Sequence, residues 1–389
     1  MNKNTLARLA QYCPTPMYIF DITALRARIR SLRSHLPAGT GLCYAVKANT
    51  FILREITDCV DRFEVCSPGE GAICEALGLP PEKLVISGVY KSPEFIEHLV
   101  SAHPDLGRFT VESMEQFYLL VHLALKYDRR IPVFLRLTSG NQFGLNESEI
   151  RRIIERHTEI LDIRGIQYFS GTQKHSLKRI QRELHALDRF LQELEQDYSF
   201  HAEELEFGPG LRVCYFQDEE YDEEAFLHEF SAMLDNMEFP THITLELGRS
   251  IAASCGSYLT RVVDTKHNSG QNYAILDGGI HHLVYYGQSM AMRIPHYQLY
   301  PRRKAETENW NLFGSLCTIN DILVKQLPLP GLSVGDLFAF ENTGAYCMTE
   351  GISLFLSRDL PGVSLLLENG ELIPVRKMTP TAPLNTPDY

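Results

Sequence analysis

Short apolar runs alternate with segments of helical periodicity between residues 41 and 247. The runs are mostly apolar along their whole length, which is typical of parallel strands covered on both faces. Helical segments with apolar residues three and four positions apart, such as 114–126 and 177–196, separate them. About eight strand–helix pairs in roughly two hundred residues predict an α/β fold with a (β/α)8 barrel over residues 25–255. The predicted barrel strands are 42–46, 62–66, 83–86, 109–112, 133–137, 163–169, 204–207 and 242–247.

The strand–helix pattern stops after Ile251. Strand-like segments follow one another there, and turn signals such as Asp277-Gly278-Gly279 and Asn369-Gly370 separate some of them. We interpret residues 256–389 as an antiparallel β-domain, either a β-barrel or a sandwich. A further strand near Tyr18 has no partner in the barrel count, so residues 1–24 are assigned to the same domain.

Composition and charge narrow the classes of protein and partner. A chain of 389 residues is too long for one core of usual size, which agrees with two domains. The net charge of -12 argues against nucleic acid or an anionic membrane as partner, because both require a basic face. The nine cysteines are scattered, with no C-x-x-C pair and no Cys/His cluster at zinc spacing, so we expect reduced thiols and no metal. Residues 1–18 lack the apolar core of a signal peptide, and we expect a cytoplasmic protein.

Lys47 closes the first barrel strand, just before the pattern changes to a predicted helix at 51–60. An amine that begins among apolar residues loses part of its hydration, which disfavours the ammonium form and lowers the pKa. Such a lysine can form a Schiff base with a carbonyl, and pyridoxal phosphate is the commonest cofactor of this kind. The alternative is a lysine that extends from the strand end into solvent. The hexapeptide alone leaves both interpretations open.

The ends of the other predicted strands add to the first interpretation, because chemistry in a barrel collects at the carboxyl ends of the strands. Gly208-Pro209-Gly210 is either a plain turn or a loop that presents backbone N–H groups to a phosphate. Glu246 and Arg249 are either an ordinary ion pair or the partners of a pyridinium and a phosphate. A plain turn, an ion pair or another structural role would have to explain each strand end separately, so we favour one cofactor-binding site formed by all of them.

Six segments, in this order, resemble the motifs of the fold-type III pyridoxal-phosphate decarboxylases, which include the diaminopimelate and ornithine decarboxylases. The resemblance covers nearly the whole chain, and the order of the six motifs makes it specific. The segments are Tyr44-Ala45-Val46-Lys47-Ala48-Asn49, Phe63 to Glu70, Gln142-Phe143-Gly144, Glu246-Leu247-Gly248-Arg249, Gly314 to Asp321 and Gly344-Ala345-Tyr346.

The resemblance implies an alanine-racemase-like barrel, a bound pyridoxal 5'-phosphate and a role for each matching residue. Lys47 would carry the cofactor, and Glu246 would hydrogen-bond to its ring nitrogen and keep it protonated. The family forms homodimers in which the β-domain completes the active site of the other subunit, so Cys317 would act in trans and protonate the substrate carbon after carbon dioxide leaves. The alternative for Cys317 is a buried apolar residue. The phosphate would be held by Gly208, Gly210, Arg249, Thr172 and Tyr346.

Three positions depart from the family pattern. Phe169 stands where a histidine usually stacks on the ring, and Pro209 replaces a central glycine. Thr318 follows Cys317, where the family carries an acid that receives the substrate's distal ammonium group. Threonine cannot neutralise an ammonium, so we expect a modified or conjugated L-amino acid without that group. Examples are citryl-diaminopropionate of siderophore pathways, which is a small molecule, and a glutamyl group tethered to a carrier protein.

Other residues of the C-terminal half bear on the substrate. Arg293 and Tyr297 match a pair that grips a distal carboxylate in diaminopimelate decarboxylases, and the alternative is an exposed arginine and a core tyrosine. Asp321 closes the cysteine motif, and we expect it to bind substrate together with Thr318. The alternatives are a diaminopimelate- or ornithine-type decarboxylase, a racemase on the same barrel, and a non-catalytic cofactor carrier or inhibitor of a related decarboxylase. His281 and His282 lie near a turn, and we expect them to face solvent without a role.

Overall fold

The computed structural model describes residues 3–157 and 159–388. The chain divides into two compact units, which we call the barrel unit and the sheet unit. The barrel unit consists of Ile29–Arg212 and Asp222–Ser250, and the sheet unit of Met1–Arg28, Val213–Tyr221 and Ile251–Tyr389. The sequence placed residues 25–28, 213–221 and 251–255 in the barrel, whereas the structure groups them with the sheet unit.

Helices and strands are numbered along the chain. The helices are α1 (Lys3–Tyr12), α2 (Ile22–His35), α3 (Pro68–Leu77), α4 (Pro93–Ala102), α5 (Met114–Lys126), α6 (Glu147–His157), α7 (Leu177–Tyr198), α8 (Glu223–Asp235) and α9 (Arg249–Ala252). The strands are β1 (Met17–Asp21), β2 (Gly41–Ala45), β3 (Arg62–Val65), β4 (Leu84–Ile86), β5 (Arg108–Val111), β6 (Pro132–Arg136), β7 (Asp162–Phe169), β8 (Glu204–Gly208), β9 (His242–Leu247), β10 (Gly256–Asn268), β11 (Gln271–Leu276), β12 (Tyr297–Tyr300), β13 (Glu308–Phe313), β14 (Ile322–Leu329), β15 (Leu337–Glu341), β16 (Gly362–Leu366) and β17 (Leu372–Arg376).

The strands β2 to β9 are parallel and form a closed barrel, because β2 pairs with both β3 and β9. They lie where the sequence predicted them, so the (β/α)8 prediction is confirmed. Cys43, Val85 and Phe134 come from alternate strands and form one buried cluster, as the layered packing of a barrel interior requires. We call the end formed by the residues that follow these strands the carboxyl rim, and the opposite end the amino rim.

Serine side chains begin several barrel helices. Ser67 and Ser113 lie two residues after the ends of β3 and β5, and each Oγ accepts the backbone N–H three residues later at 3.2 Å. These strand-end serines are therefore helix caps. After β2 the predicted helix is absent, and three short 3₁₀ turns take its place over residues 46–56. Asn49, whose backbone is extended, separates the first two turns and accepts the N–H of Phe51 at 2.9 Å.

The sheet unit contains a mixed sheet and corrects the expectation of an antiparallel domain. Its strand order is β14-β13-β11-β10-β1-β16-β17, with β12 and β15 joined beside β10. The N-terminal strand β1 lies antiparallel to β10 and parallel to β16, and β11 lies parallel to β13. Strands from opposite ends of the chain thus meet in one sheet.

The prediction that His281 and His282 face solvent is wrong. Both are buried, with ring centroids 3.7 Å apart. His282 lies 2.8 Å from the carbonyl oxygen of Asp359 and 3.1 Å from the hydroxyl of Tyr258. Burial lowers the pKa of His281 to about 4 and that of His282 to about 3. Both rings are therefore neutral packing elements of the sheet unit.

Two further expectations concern the whole chain. The nine cysteines all lie in described positions and form no disulfide. Among the described residues, none of the helices combines the length and the apolar character of a membrane span.

Candidate active site

Lys47 lies at the carboxyl rim, in the turn that directly follows β2. Its Nζ donates a hydrogen bond to Glu64 Oε2 at 2.6 Å and lies 3.8 Å from Glu246 Oε1 and 3.5 Å from Cys66 Sγ. The side chain is 39% exposed, so a ligand can reach the amine. The sequence predicted a half-apolar pocket, whereas carboxyl groups from the two strands that flank β2 surround this lysine.

Glu64 and Glu246 are both buried and share the amine of Lys47. Burial alone would raise the pKa of Glu64, but the charge of Lys47 and its hydrogen bond outweigh burial and hold that pKa below its ordinary value. Burial and, next, the charge of Glu64 raise the pKa of Glu246 to about 7. Two carboxyl groups with pKa values moved apart can hold and release a proton near neutral pH, which is typical of functional sites.

Two further polar side chains point into the barrel interior beside Glu246. Gln167 Nε2 donates to Glu246 Oε2 at 2.9 Å. Glu206 is fully buried, and neither of its carboxylate oxygens has a hydrogen-bond partner among the described residues. Burial and the charge of Glu246 raise the pKa of Glu206 well above its ordinary value. The interior near the carboxyl rim therefore holds more acidic groups than its cations neutralise.

A glycine-lined cradle lies at the ends of β7 and β8. A Cβ atom at Gly208 would lie 2.3 Å from Cδ2 of the Phe169 ring, so only glycine lets this ring lie across the end of β8. Gly210 has a φ of +65°, and a Cβ there would lie 2.2 Å from the carbonyl oxygen of Gly171. Thr172 adjoins Gly210 in the same cradle, because that Cβ would lie 3.2 Å from its Cα. The two loops thus approach each other at backbone distance.

Arg249 follows β9 three positions after Glu246 and is buried. These barrel-unit residues fit pyridoxal phosphate. Lys47 offers an accessible amine, Glu246 a buried carboxyl group for a ring nitrogen, and Phe169 an aromatic face held by Gly208. Glycine at 208 and 210 lets the two loops approach each other closely, and a glycine-rich turn after a strand can present backbone N–H groups to a phosphate.

The cysteine motif lies in the sheet unit, in the loop between β13 and β14. Cys317 is exposed, which excludes the alternative of a buried apolar residue. Thr318 is partly buried, and its Oγ1 accepts the N–H of Asn320 at 3.3 Å. Asp321 was expected to contact substrate, but it is fully buried, and its carboxylate accepts the N–H groups of Ile280 at 2.8 Å and Leu316 at 2.7 Å. Asp321 therefore fixes the shape of the loop.

Arg293 is also engaged within the sheet unit. Its guanidinium donates to Asp218, with the shortest contact at 2.8 Å, approaches Glu219 at 3.4 Å and stacks on the ring of Phe216. Tyr297 begins β12 and is partly buried. A substrate carboxylate would have to displace Asp218 to reach Arg293.

Tyr346 lies in the same unit, with a φ of +64°. Its carbonyl accepts the N–H groups of Thr349 at 2.8 Å and Glu350 at 3.1 Å, which closes a tight turn. The remaining predicted site residues therefore divide between the units. The barrel unit brings Lys47 and Glu246 together and builds the cradle, and the sheet unit carries Cys317, Thr318, Arg293, Tyr297 and Tyr346.

Sequence reasoning missed Glu64, Gln167 and Glu206 as members of the site. A signal was present, because each is a polar residue between apolar neighbours in a strand that is buried on both faces. In such a strand a carboxyl or amide group must find a partner or a function.

Comparison with known proteins agrees with this geometry. The family model described as "Pyridoxal-dependent decarboxylase, C-terminal sheet domain" matches residues 17–344. The L-glutamyl-[BtrI acyl-carrier protein] decarboxylase of Niallia circulans is 25% identical, over 97% of this chain and 94% of that protein. The 2-[(L-alanin-3-ylcarbamoyl)methyl]-2-hydroxybutanedioate decarboxylase of Staphylococcus aureus is 26% identical, over 93% of this chain and 96% of that protein.

The fold has solved counterparts. Diaminopimelate decarboxylase from M. jannaschii, solved with L-lysine, superposes with a TM-score of 0.86 at 22% identity and covers 99% of this chain and 94% of its own. The match to the family model spans most of the chain, and it agrees with the accessible lysine, the buried carboxyl pair and the glycine cradle of the barrel. The chain therefore belongs to the pyridoxal-phosphate-dependent decarboxylases of the diaminopimelate and ornithine decarboxylase family.

Proposed function

We propose that this decarboxylase acts on a modified or conjugated L-amino acid whose distal end carries no free ammonium group. Citryl-diaminopropionate and a carrier-tethered glutamyl group are the two candidates of this kind. The observation that carries the proposal is Thr318, which stands beside Cys317 at the position where the family motif resembled by residues 314–321 has an acid.

The cysteine loop supports this proposal by its charge. Residues 314–321 contain one acid, Asp321, and its carboxylate is buried and bonded to backbone N–H groups. The loop therefore offers no carboxylate to an ammonium group, and an unpaired ammonium would lose the charge-assisted hydrogen bond that it makes in water. A neutral or conjugated distal end bears no such cost. The printed names of the two relatives from N. circulans and S. aureus describe conjugated substrates.

We assign the barrel residues as follows. Pyridoxal phosphate, when bound, supplies an electron sink for the carbon–carbon bond that breaks. Lys47 would hold its aldehyde, Glu64 would keep the amine in place, and Glu246 would give up its proton to keep the ring nitrogen protonated. Phe169 would lie against the ring, and the cradle with Arg249 would hold the phosphate.

Cys317 would donate the proton that replaces carbon dioxide on the substrate carbon. Its exposure in the sheet unit suits an action in the active site of a partner subunit, with Tyr346 beside the phosphate. We therefore propose a homodimer with shared active sites. Lys47→Ala and Cys317→Ala should each be inactive alone. A mixture unfolded and refolded together should recover about a quarter of the activity, since half of the dimers would be mixed and each would hold one complete site. No recovery would contradict sharing.

The substrate is tested by carbon dioxide release. Citryl-diaminopropionate or a glutamyl-loaded carrier protein should be turned over, and lysine, ornithine and diaminopimelate should not. Thr318→Glu should reverse this preference in part, and Thr318→Gln, which matches glutamate in size without the charge, is the control. Turnover confined to these three amino acids, each of which has a free distal ammonium group, would contradict the proposal.

A further inference from the structure

A second cluster of ligand-type side chains lies on the outside of the barrel unit, between α3 and α4. Glu75 lies in the last turn of α3, His98 lies within α4, and His103 caps the end of α4. Glu75 Oε1 is 2.9 Å from His98 Nε2 and 3.0 Å from His103 Nε2. The three donor atoms all lie within 4.8 Å of one another.

The backbone explains why the two histidines converge although five positions separate them. His103 leaves the helical conformation with a φ of -123°, while its N–H still donates to the carbonyl of Leu99 at 3.0 Å. The two rings consequently lie 6.3 Å apart, at an interplanar angle of 84°. The guanidinium of Arg129 donates to the carbonyl of Val100 at 2.9 Å and holds the end of α4. The cluster therefore sits on constrained backbone.

We propose that Glu75, His98 and His103 form a binding site for a divalent transition metal of the zinc class. Two imidazole nitrogens and one carboxylate oxygen are ligands that zinc takes in proteins, and three protein ligands leave one position for water. Imidazole favours zinc, copper and nickel over magnesium and calcium.

The position of the site indicates its role. Barrel helices return from the carboxyl rim to the amino rim, so the last turns of α3 and α4 lie toward the amino rim, away from Lys47. A bound ion would link the ends of two adjacent helices. It would stabilise the barrel unit and leave decarboxylation unchanged, and this inference is independent of the proposed substrate.

The test is a calorimetric titration of the holoenzyme with zinc. We expect one ion per chain. His98→Asn, His103→Asn and Glu75→Gln should weaken binding by at least about tenfold, since loss of an outer-shell partner alone costs about 10- to 100-fold. His201→Asn is the matched control, because exposed His201 contacts a single carboxylate, that of Glu195 at 2.9 Å. This variant should bind zinc like the wild type.

Two further measurements separate this site from the thiols. Zinc should raise the melting temperature of the wild type and not that of His98→Asn, with turnover unchanged in both. Cobalt(II) should bind without the intense near-ultraviolet band that thiolate ligands give. Equal zinc affinity in the wild type and the histidine variants, no saturable binding, or a cobalt–thiolate band would each overturn the proposal.

Discussion

Both rims of the barrel contain buried glutamates, but the pKa of Glu204 at the amino rim is lowered, whereas the pKa of Glu246 at the carboxyl rim is raised. At the amino rim, Glu204 accepts a hydrogen bond from Arg62 at 2.9 Å and another from Thr244 at 2.5 Å. It also forms an ion pair with Arg108 at 2.9 Å. Burial alone would raise the pKa of Glu204, but Arg62 outweighs it and the pKa is lowered. At the carboxyl rim, two glutamates share the amine of Lys47, and the pKa of Glu246 is raised to about 7.

The difference teaches what each rim is for. A carboxylate with two guanidinium partners is fixed in one protonation state and holds the strand ends together. A carboxyl group that competes for one amine is poised between two states and is stabilised when a cation arrives. At the amino rim the acidic and basic charges balance, which serves stability. At the carboxyl rim they do not balance, which serves chemistry.

The largest effect is expected from Lys47→Ala. The variant should lose the cofactor absorption that survives dialysis, and turnover should fall by at least about 10²-fold, because the amine that would hold the cofactor's aldehyde is gone. Lys83→Met is the control near the amino rim, because Lys83 Nζ donates only to the carbonyls of Thr57 and Val60, at 2.6 and 3.0 Å, in the contacts described. A Lys47→Ala protein that keeps the cofactor absorption would show that the carboxyl rim does not hold the cofactor through this lysine.

Glu204→Gln should lower the free energy of unfolding by about 3 kcal/mol, the lower end of the range for breaking a buried ion pair, because it removes the charge that pairs with two partly buried guanidinium groups. Urea denaturation of wild type and variant measures this change. A loss under about 0.5 kcal/mol, the range of an ordinary surface substitution, would show that the amino rim does not depend on this ion cluster.

The same substitution at the other rim should have the opposite sign. In the cofactor-free protein the pKa of Glu246 is about 7, above its ordinary value of 4.5. The folded state therefore keeps a proton that the unfolded state loses, and stability falls as pH rises from about 4.5 to about 7. Glu246→Gln should remove this loss and stabilise the protein at pH 8 by about 3 kcal/mol. It should have no effect at pH 4, and turnover should drop.

Denaturant curves at pH 4 and pH 8 check this prediction on the same two samples. Destabilisation at pH 8 would mean that Glu246 is held as a paired carboxylate like Glu204, and the contrast between the rims would fail.

The smallest effect is expected from Glu64→Gln, which keeps a hydrogen-bond acceptor for Lys47 and removes one charge. After burial, that charge is the largest cause of the raised pKa of Glu246, so the pKa should fall toward its ordinary value. The pH window over which the cofactor-free protein loses stability should move to lower pH. An unchanged window would show that burial alone sets the pKa of Glu246.

The local sequence pattern predicted much of the architecture, and a few residues show which features it could not predict. The mostly apolar runs placed all eight barrel strands, and Lys47 stood at a strand end in sequence and in structure. The expected substrate contact at Asp321 was wrong, because the sequence shows an acid in a loop and not the backbone N–H groups that fold onto it. The prediction that His281 and His282 face solvent was wrong, because the sequence does not show the tertiary packing that buries both rings.

The sequence by itself determined the strand–helix rhythm, the reactive lysine and the order of the family motifs, because hydrophobic periodicity and short motifs are local properties. Only the tertiary structure decided which carboxyl groups share that lysine. Glu64 lies 17 positions from Lys47 in the chain and meets it at 2.6 Å, and Glu246 reaches it because the last barrel strand closes against the first. Barrel closure sets these distances, and with them the charge balance on which the pKa values depend.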